Sequence, residues 1–356
     1  MRSRSFFSYA VFSVGLITLG APGGQAAPGY RVSGPFTHDN LSLYFVHGEA
    51  DKGPIPLTLE EALARGKVQV DETSRVNELS LENLGDEEVF IQAGDIVKGG
   101  KQDRVIGVSL LVPSKSGKIP ISSFCVEQGR WTGRANEDPS HFASAGSSVP
   151  SRKAKMAIYA APSPAPAAGS GADLPNFAGV RDNTSSRQAE VWRDVAATQR
   201  KLQENVGAPV ASPLSQSSLQ LALENEKLAD AKQPYLKALV DAAQKENDIV
   251  GYVFAVNGKI NSGDVYPSNG LFKKMWSKLL NSSVTEAIGE KNGAAVPAPS
   301  TGEVLAFLDE AEKGKSQVRQ VNDVKIETRE SLKSLYSESE RSHGGFAHRS
   351  YIYRGE

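Results

Sequence analysis

A chain of 356 residues, 39% of them hydrophobic and 23% charged, with a mean hydropathy of -0.34, has the make-up of a folded globular protein of one large domain or two ordinary ones. Its formal net charge of -1 supplies no basic excess for nucleic acid, and basic runs interleaved with aromatic residues are absent. The single cysteine, Cys125, cannot form an internal disulfide, so the core alone must hold the fold.

Arg2 and Arg4 open the chain. An apolar run of 14 residues follows from Phe6 to Leu19, and then the small residues "GAPGGQAA". Charged, apolar and small residues in that order read as a secretory signal, residues 1–26, cleaved after Ala26. Its removal takes the net charge from -1 to about -3. The run falls short of the roughly 20 residues that span a bilayer, which argues against an uncleaved anchor, and no later stretch is apolar enough to span. The protein is therefore expected in the periplasm or outside the cell.

From about Tyr30 to Trp131 the pattern is mostly strand. "LSLYFVHG" (41–48) is apolar. "TLEEALARGK" (58–67) is a short helix, with Thr58 as cap, Glu60 and Glu61 in the first turn and Gly66 at its end. "KVQVDE" and "VNELSLENL" alternate as half-buried strands do. "EEVFIQAGDIV" and "RVIGVSLLVP" read as inner strands, with Gly94-Asp95 placed like a turn, and "KIPISSFCVE" follows. Turn signals every 8 to 15 residues suggest a sandwich or a bent antiparallel sheet.

Residues 160–176, "AAPSPAPAAGSGADLPN", cannot bury a core and read as a linker or long surface loop. Beyond it, Trp192, Val195, Ala196, Leu202 and Val206 fall on one helical stripe. "SSLQLALENEKLADA" and "PYLKALVDAAQKEN" read as two helices, with Pro234 opening the second. "IVGYVFAVNGKINSGDVY" is a hairpin turned by Asn257-Gly258. Leu271, Phe272, Met275, Trp276, Leu279 and Leu280 mark one face of a further helix. Ser300 and Glu303 form a capping box for another, which Gly314 ends. The tail reads as strand, turn, strand. The expected class is α+β: an N-terminal antiparallel β-rich part packed with a helical and hairpin C-terminal part.

Four stretches carry polar chemistry. In "AGDIVKGGKQDRV" (93–105), the pair Gly99-Gly100 lets successive amides point into one concavity, with Lys98, Lys101 and Arg104 beside it; such a nest suits phosphate or carboxylate. Neither a P-loop nor a dinucleotide fingerprint is present, and a hairpin with a glycine bulge and solvated charges is the alternative. In "KIPISSFCVEQGRW", counting by twos sets Cys125 and Glu127 on one face, with Arg130 and Trp131 just beyond. Cys125 reads as a small buried hydrophobe rather than a nucleophile, and Glu127 as an ion-pair partner of Arg130 or as an acid/base beside a stacking Trp131. Asp264, in "NSGDVYPSNGLF", reads first as turn chemistry before a helix start at Ser268 and Asn269. His343 and His348, five apart across Gly-Gly, match no zinc spacing, so no metal site is expected from them.

These stretches carry a resemblance. Gly99, Gly100, Gln102 and Arg104, then Cys125, Val126, Glu127, Gly129, Arg130 and Trp131, and downstream Asp264 and the helix with Trp276, are similar to the ADP-ribosylglycohydrolase- and rhodanese/phosphatase-associated protein domain, first type. The resemblance runs from about 35 to 353. The chain departs from the pattern in the linker at 160–176 and at Asp95, where a glutamate is expected. The resemblance implies a role near enzymes that handle ADP-ribose and phosphate. It also implies one composite domain, 30–353, made of a β-rich part (30–150), the linker (160–176) and a helical and hairpin part (184–353).

The expected function is an exported ligand-binding or accessory domain for an anionic small molecule such as a sugar phosphate, nucleotide or ADP-ribose-like compound. Gly99, Gly100, Lys101, Gln102, Arg104 and Arg130 would hold the anion and Trp131 would stack on a ring; no cofactor is specified. One alternative is a hydrolase of glycosidic or phosphate bonds, with Glu127 as acid or base and Asp103 or Asp264 as second carboxylate. Another is a structural envelope interaction protein. The ligand reading requires the glycine loop and the strand ending at Trp131 to meet in space.

Overall fold

The computed structural model describes residues 29–73, 75–130, 142–160, 184–293, 296–322, 324–341 and 344–355. Residues 1–28, Trp131, His343 and residues 161–183, which contain the expected leader and all of the expected linker beyond Ala160, lie outside the described residues.

The first half of the chain lays down β1 (Arg31–His38), β2 (Leu41–His47), β3 (Leu57–Thr58), α1 (Leu59–Ala64), β4 (Val68–Glu72), β5 (Glu78–Asn83), β6 (Val89–Ile91), β7 (Asp95–Gly99), β8 (Arg104–Ile106), β9 (Leu110–Val112), β10 (Gly117–Cys125), β11 (Phe142–Ser148) and α2 (Arg152–Tyr159). The second half adds α3 (Thr184–Val206), α4 (Leu219–Leu223), α5 (Glu226–Leu239), β12 (Ile249–Val256), β13 (Lys259–Val265), α6 (Asn269–Gly289), α7 (Thr301–Ala311), β14 (Lys315–Val321), β15 (Val324–Glu330), β16 (Ser334–Glu340) and β17 (Phe346–Tyr353). The protein is α+β, as its sequence pattern predicts.

An eight-stranded sheet runs β1-β2-β12-β13-β17-β16-β15-β14. Strands from before and after the linker thus pair directly: β2 lies against β12 with Phe45 opposite Tyr252 and Leu43 opposite Phe254. A six-stranded sheet, β11-β7-β8-β10-β5-β4, and a three-stranded one, β3-β6-β9, complete the β structure.

Helix α6 is the shared centre. The apolar face read from the sequence is buried, and Trp276 meets Phe45 at 5.4 Å and Tyr252 at 5.7 Å between ring centroids, with its indole N–H donating to the Val240 carbonyl at 2.8 Å. Burying each such side chain contributes about 1.5–3 kcal/mol. Five polar residues of the helix, Lys278, Ser282, Ser283, Thr285 and Glu286, are buried too, while Lys274 and Ser277 face solvent. Their partners are internal. The Ser148 amide donates to Ser282 Oγ at 2.9 Å, and Lys278 Nζ donates to Asp95 Oδ1 at 3.2 Å. These buried polar residues are satisfied by protein rather than by water, so the covered part of the helix is wider than its apolar stripe.

The local signals fall where the residues place them. Thr58 caps α1 and closes a capping box with Glu61, Ser300 does the same with Glu303, and Asn257 and Gly258 take positive φ in the β12–β13 turn. Three expectations change. The second long inner strand is split as well as the first, where Gly94-Asp95 reads as a turn, so that β6 and β9 join one sheet and β7 and β8 another. Gly94, at φ +96, turns the first; at Gly107, which breaks the second, a Cβ would lie 2.5 Å from Ser122 Oγ. Pro234 lies inside α5, and the helix begins at the Asn225 cap, whose side chain accepts from the amides of Lys227 and Leu228. The tail folds as four strands, β14 to β17, with Asn322 at φ +54 between the first two.

Candidate functional site

The glycine loop and the Cys125 strand do meet. β7 and β8 are antiparallel, with Val97 opposite Arg104, and β10 lies on the other side of β8, with Cys125 opposite Arg104. That register carries Glu127 under the loop. Glu127 Oε2 accepts from the Asp103 amide at 3.1 Å, and Oε1 accepts from Arg130 Nε at 2.8 Å. The guanidinium of Arg130 also donates to the carbonyls of Gly100 (3.2 Å) and Gly99 (3.4 Å). Gln102 donates to the Glu127 carbonyl at 3.3 Å. Arg104, 1% exposed, donates to Gln102 Oε1 at 3.1 Å, to Glu72 Oε2 at 3.1 Å and to the Cys125 sulfur.

The loop's amides, however, face the protein's own carboxylates. Gly99 N–H donates to Asp103 Oδ1 at 3.1 Å, and Lys101 N–H to Glu72 Oε1 at 3.0 Å. Gly99 at φ +120 and Gly100 at φ +54 supply the backbone shape expected of a nest, but the anions in it belong to the chain. Of the expected ligand residues, Gly99, Gly100, Gln102 and Arg104 are buried, Arg130 is half-buried and Lys101 is exposed. The arrangement is a charged brace that locks a bend to its neighbouring strand.

Glu127 fits that role better than acid/base work. Burial pushes its carboxyl up, but bonds from Arg130, Ser215 and the Asp103 amide outweigh it and hold the group below its usual value, so it stays an ionised acceptor. The Cys125 thiol is pushed up by burial against the opposing pull of Arg104, as expected of a buried sulfur rather than a nucleophile.

Asp264 belongs to another cluster and forms no carboxylate pair with Glu127. At the end of β13, opposite Ser350 of β17, its Oδ1 accepts from His348 Nε2 at 3.1 Å. His348 Nδ1 meets Ser109 Oγ at 3.0 Å, and that oxygen also accepts from the Ala93 amide at 2.9 Å. Tyr159 donates to the Ala93 carbonyl at 2.8 Å. Lys155 Nζ donates to Ser262 Oγ at 3.3 Å, and Glu286 Oε1 accepts from Asn261 at 3.1 Å. Burial pushes Glu286 up to about 7 and Lys155 down; burial also acts to raise Asp264, but His348 and Lys155 hold it below its usual value. Sequence reasoning singled out Asp264 and His348 in separate stretches, did not join them, and missed Ser109. Ser109 and His348 are 239 positions apart, His348 and Asp264 84 apart, so no short motif joins them.

A cleft of about 570 Å³ opens between α2, α3 and the ends of β15 and β16. Met156, Ala157 and Leu335 form an apolar part of its wall, and Lys153 and Arg193 stand exposed on its rim. Asp194 lines it with Oδ2 buried and without a hydrogen-bond partner; burial pushes that carboxyl up, while Ser151 and Lys153 pull it down. Elsewhere, His47, Glu246 and Asp248 bring three possible metal ligands together, but Arg31 already donates to them at 2.8, 3.1 and 3.0 Å. The cation in that cluster is the chain's own.

The family model of the ARG and Rhodanese-Phosphatase-superfamily-associated Protein domain matches residues 29–352. The chain belongs to the ARPP-1 family. No curated protein and no solved structure gives a match. The ARPP-1 match runs from before β1 into β17, across both sides of the linker, as does the pairing of the eight-stranded sheet. No helix among the described residues of this ARPP-1 chain is long and apolar enough to cross a membrane.

Proposed function

We propose that this protein is an exported module that binds an anionic small molecule carrying hydroxyl or amine donors, such as a sugar phosphate or nucleotide, in the cleft beside α2 and α3. The observation that carries this reading is the cleft itself. Its volume, about 570 Å³, is that of a small-molecule site, and its partly apolar hollow sets Lys153, Arg193 and Arg354 beside Glu190, Asp194 and Glu330, which suits a ligand carrying both an anion and hydroxyl or amine donors. Lys153 and Arg193 suit phosphate or carboxylate. Asp194 Oδ2 supplies a buried acceptor that lacks a donor, which a ligand hydroxyl or amine satisfies. The leader-like order of charged, apolar and small residues at the N-terminus supports export. The family description, which ties the domain to phosphatase-superfamily proteins, agrees with a phosphate-bearing ligand.

Thermal-shift measurements with ADP-ribose, sugar phosphates and nucleotides test this. A ligand in excess over its dissociation constant raises the melting temperature of the form that binds it. A stabilisation lost on Arg193→Ala supports the cleft. A stabilisation that survives both Arg193→Ala and Lys153→Ala moves the site elsewhere, and no stabilisation by any of these anions ends the reading.

A further inference from the structure

The cluster at His348 carries an inference that goes beyond ligand binding and does not depend on the cleft. Ser109, His348 and Asp264 form one continuous chain of hydrogen bonds, 3.0 Å from serine to imidazole and 3.1 Å from imidazole to carboxylate. With Asp264 ionised, the ring proton sits on Nε2 and Nδ1 presents a lone pair to the Ser109 hydroxyl. The Ser109 hydroxyl proton has two acceptors, His348 Nδ1 and the Tyr159 oxygen; when it points at His348, one oxygen lone pair takes the Ala93 amide at 2.9 Å and the other is left for attack. Nucleophile, base and orienting acid are all within hydrogen-bond reach, with the two ring nitrogens in exchanged roles relative to the serine proteases.

We propose that Ser109 is a nucleophile, with His348 as its base and Asp264 orienting that base, and that it cleaves carboxylic esters of short acyl groups.

The surroundings fit that chemistry. Beside Ser109 and His348 lies a crevice of about 10 Å³, room for one water, lined also by Tyr159, Arg319, Ser337 and Ser339. Ser339, 3% exposed, has no hydrogen-bond partner for its Oγ. An unpartnered hydroxyl beside a nucleophile, with an arginine on the same crevice, is a donor set for the oxyanion of a tetrahedral intermediate. A space for one water holds no acyl group while β14 is in place, so the crevice widens to admit substrate, and a short acyl chain asks for the least widening. Arg319 comes from β14, the edge strand of the eight-stranded sheet, and five of its seven residues are exposed. An exposed edge strand opens at lower cost than the core, so β14 is the side from which substrate enters.

The steps balance. Ser109 Oγ attacks the acyl carbon and its proton passes to His348 Nδ1. The acyl C–O bond breaks and the departing alkoxide takes that proton, leaving the acyl group on Ser109. Water attacks the acyl carbon, gives a proton to His348, and the acid leaves as Ser109 Oγ regains that proton. The sum is ester plus water to acid plus alcohol.

The test uses the purified chain with a small alkyl fluorophosphonate, read by intact mass and peptide mapping, and with p-nitrophenyl acetate. The expected result is one adduct on Ser109, with ester turnover falling about 100-fold or more in Ser109→Ala and Asp264→Asn. Loss of a buried partner can unfold the chain, so the adduct site on the unaltered protein is decisive. A folded, unaltered chain that takes no adduct, or takes it only on another residue, overturns the proposal. So does turnover in a folded Ser109→Ala equal to that of the parent.

Discussion

Arg130 and Glu127 are joined at 2.8 Å between Nε and Oε1, and the same guanidinium reaches the carbonyls of Gly99 and Gly100. One side chain thus fastens a strand end to a bend about 30 residues earlier in the chain. Removing one member of a buried pair costs about 3–5 kcal/mol where the other is left uncompensated, and Glu127 keeps its bonds from the Asp103 amide and Ser215, so the lower end applies. Arg130→Met is expected to lower stability by about 3 kcal/mol, measured by urea unfolding at pH 7. The pH dependence has a definite sign. The folded Glu127 carboxyl titrates below its unfolded value of 4.5. Its stabilising contribution is therefore complete above pH 4.5 and is lost as pH falls through the lower folded value. Arg130→Met should flatten the stability curve in that acid range and leave its shape between pH 6 and pH 8 about unchanged.

Gly100 sits in the same bend, at φ +54, and a Cβ there would lie 2.3 Å from the Phe142 ring and 2.9 Å from Glu72. Left-handed backbone costs a non-glycine residue about 1–2 kcal/mol, and the clash adds to it. Gly100→Ala is expected to destabilise by about 2–4 kcal/mol. Phe142→Leu removes the clashing ring atoms, so the double variant should be more stable than the sum of the two single changes predicts, by about 1 kcal/mol. Strict additivity in a double-mutant cycle would remove Phe142 as the cause.

The outcome at this bend shows what a sequence pattern carries and what it does not. Paired glycines, alternating apolar residues and Asn257-Gly258 are local signals, and they marked the bend, the Cys125 strand and the β12–β13 hairpin because short-range sterics decide those features. The partners of Gly99 and Lys101 are decided by pairing across the sheet: Glu72 arrives from β4, a strand that does not neighbour β7 or β8. A nest and a self-filled nest look alike in sequence. The same holds for α6, where Ser282 gives no sign of burial in the sequence and is covered because β11 brings Ser148 to it. His348 gives even less: its role depends on β13, β17 and the segment before β9 meeting, which only the topology provides.

Cys125 is buried, and its thiol is pushed above its ordinary range by burial against the opposing charge of Arg104. Reaction with a thiol reagent needs both the thiolate and access, and the fold restricts both. Native protein at pH 8 should react with iodoacetamide at least about 100-fold more slowly than the urea-unfolded chain. Native labelling at the unfolded rate would mean that the Arg104–Cys125 contact opens readily and that the brace around it is loose.

Glu286 offers the opposite pH signature to Glu127. It is 7% exposed on α6, and burial pushes its carboxyl up to about 7, with Glu290 adding to the rise and Asn261, Lys155 and the Arg152 amide opposing. Its unfolded value is 4.5, so between pH 4.5 and about 7 the folded chain holds a proton that the unfolded chain has released. Stability therefore falls as pH rises through that window, by about 3 kcal/mol at most for the size of this shift. The Arg152 amide and Asn261 both donate to Oε1 at 3.1 Å, and a glutamine oxygen accepts these bonds equally well. Glu286→Gln should thus leave stability at pH 4.5 nearly unchanged and raise it at pH 8 by about 1–3 kcal/mol. Urea midpoints taken across pH 4.5 to 8 decide this. A variant less stable than the parent at pH 8 would show that the charged form of Glu286 is needed, as a partner for Lys155, and would assign the cluster around Asp264 a full ion pair rather than a protonated carboxyl.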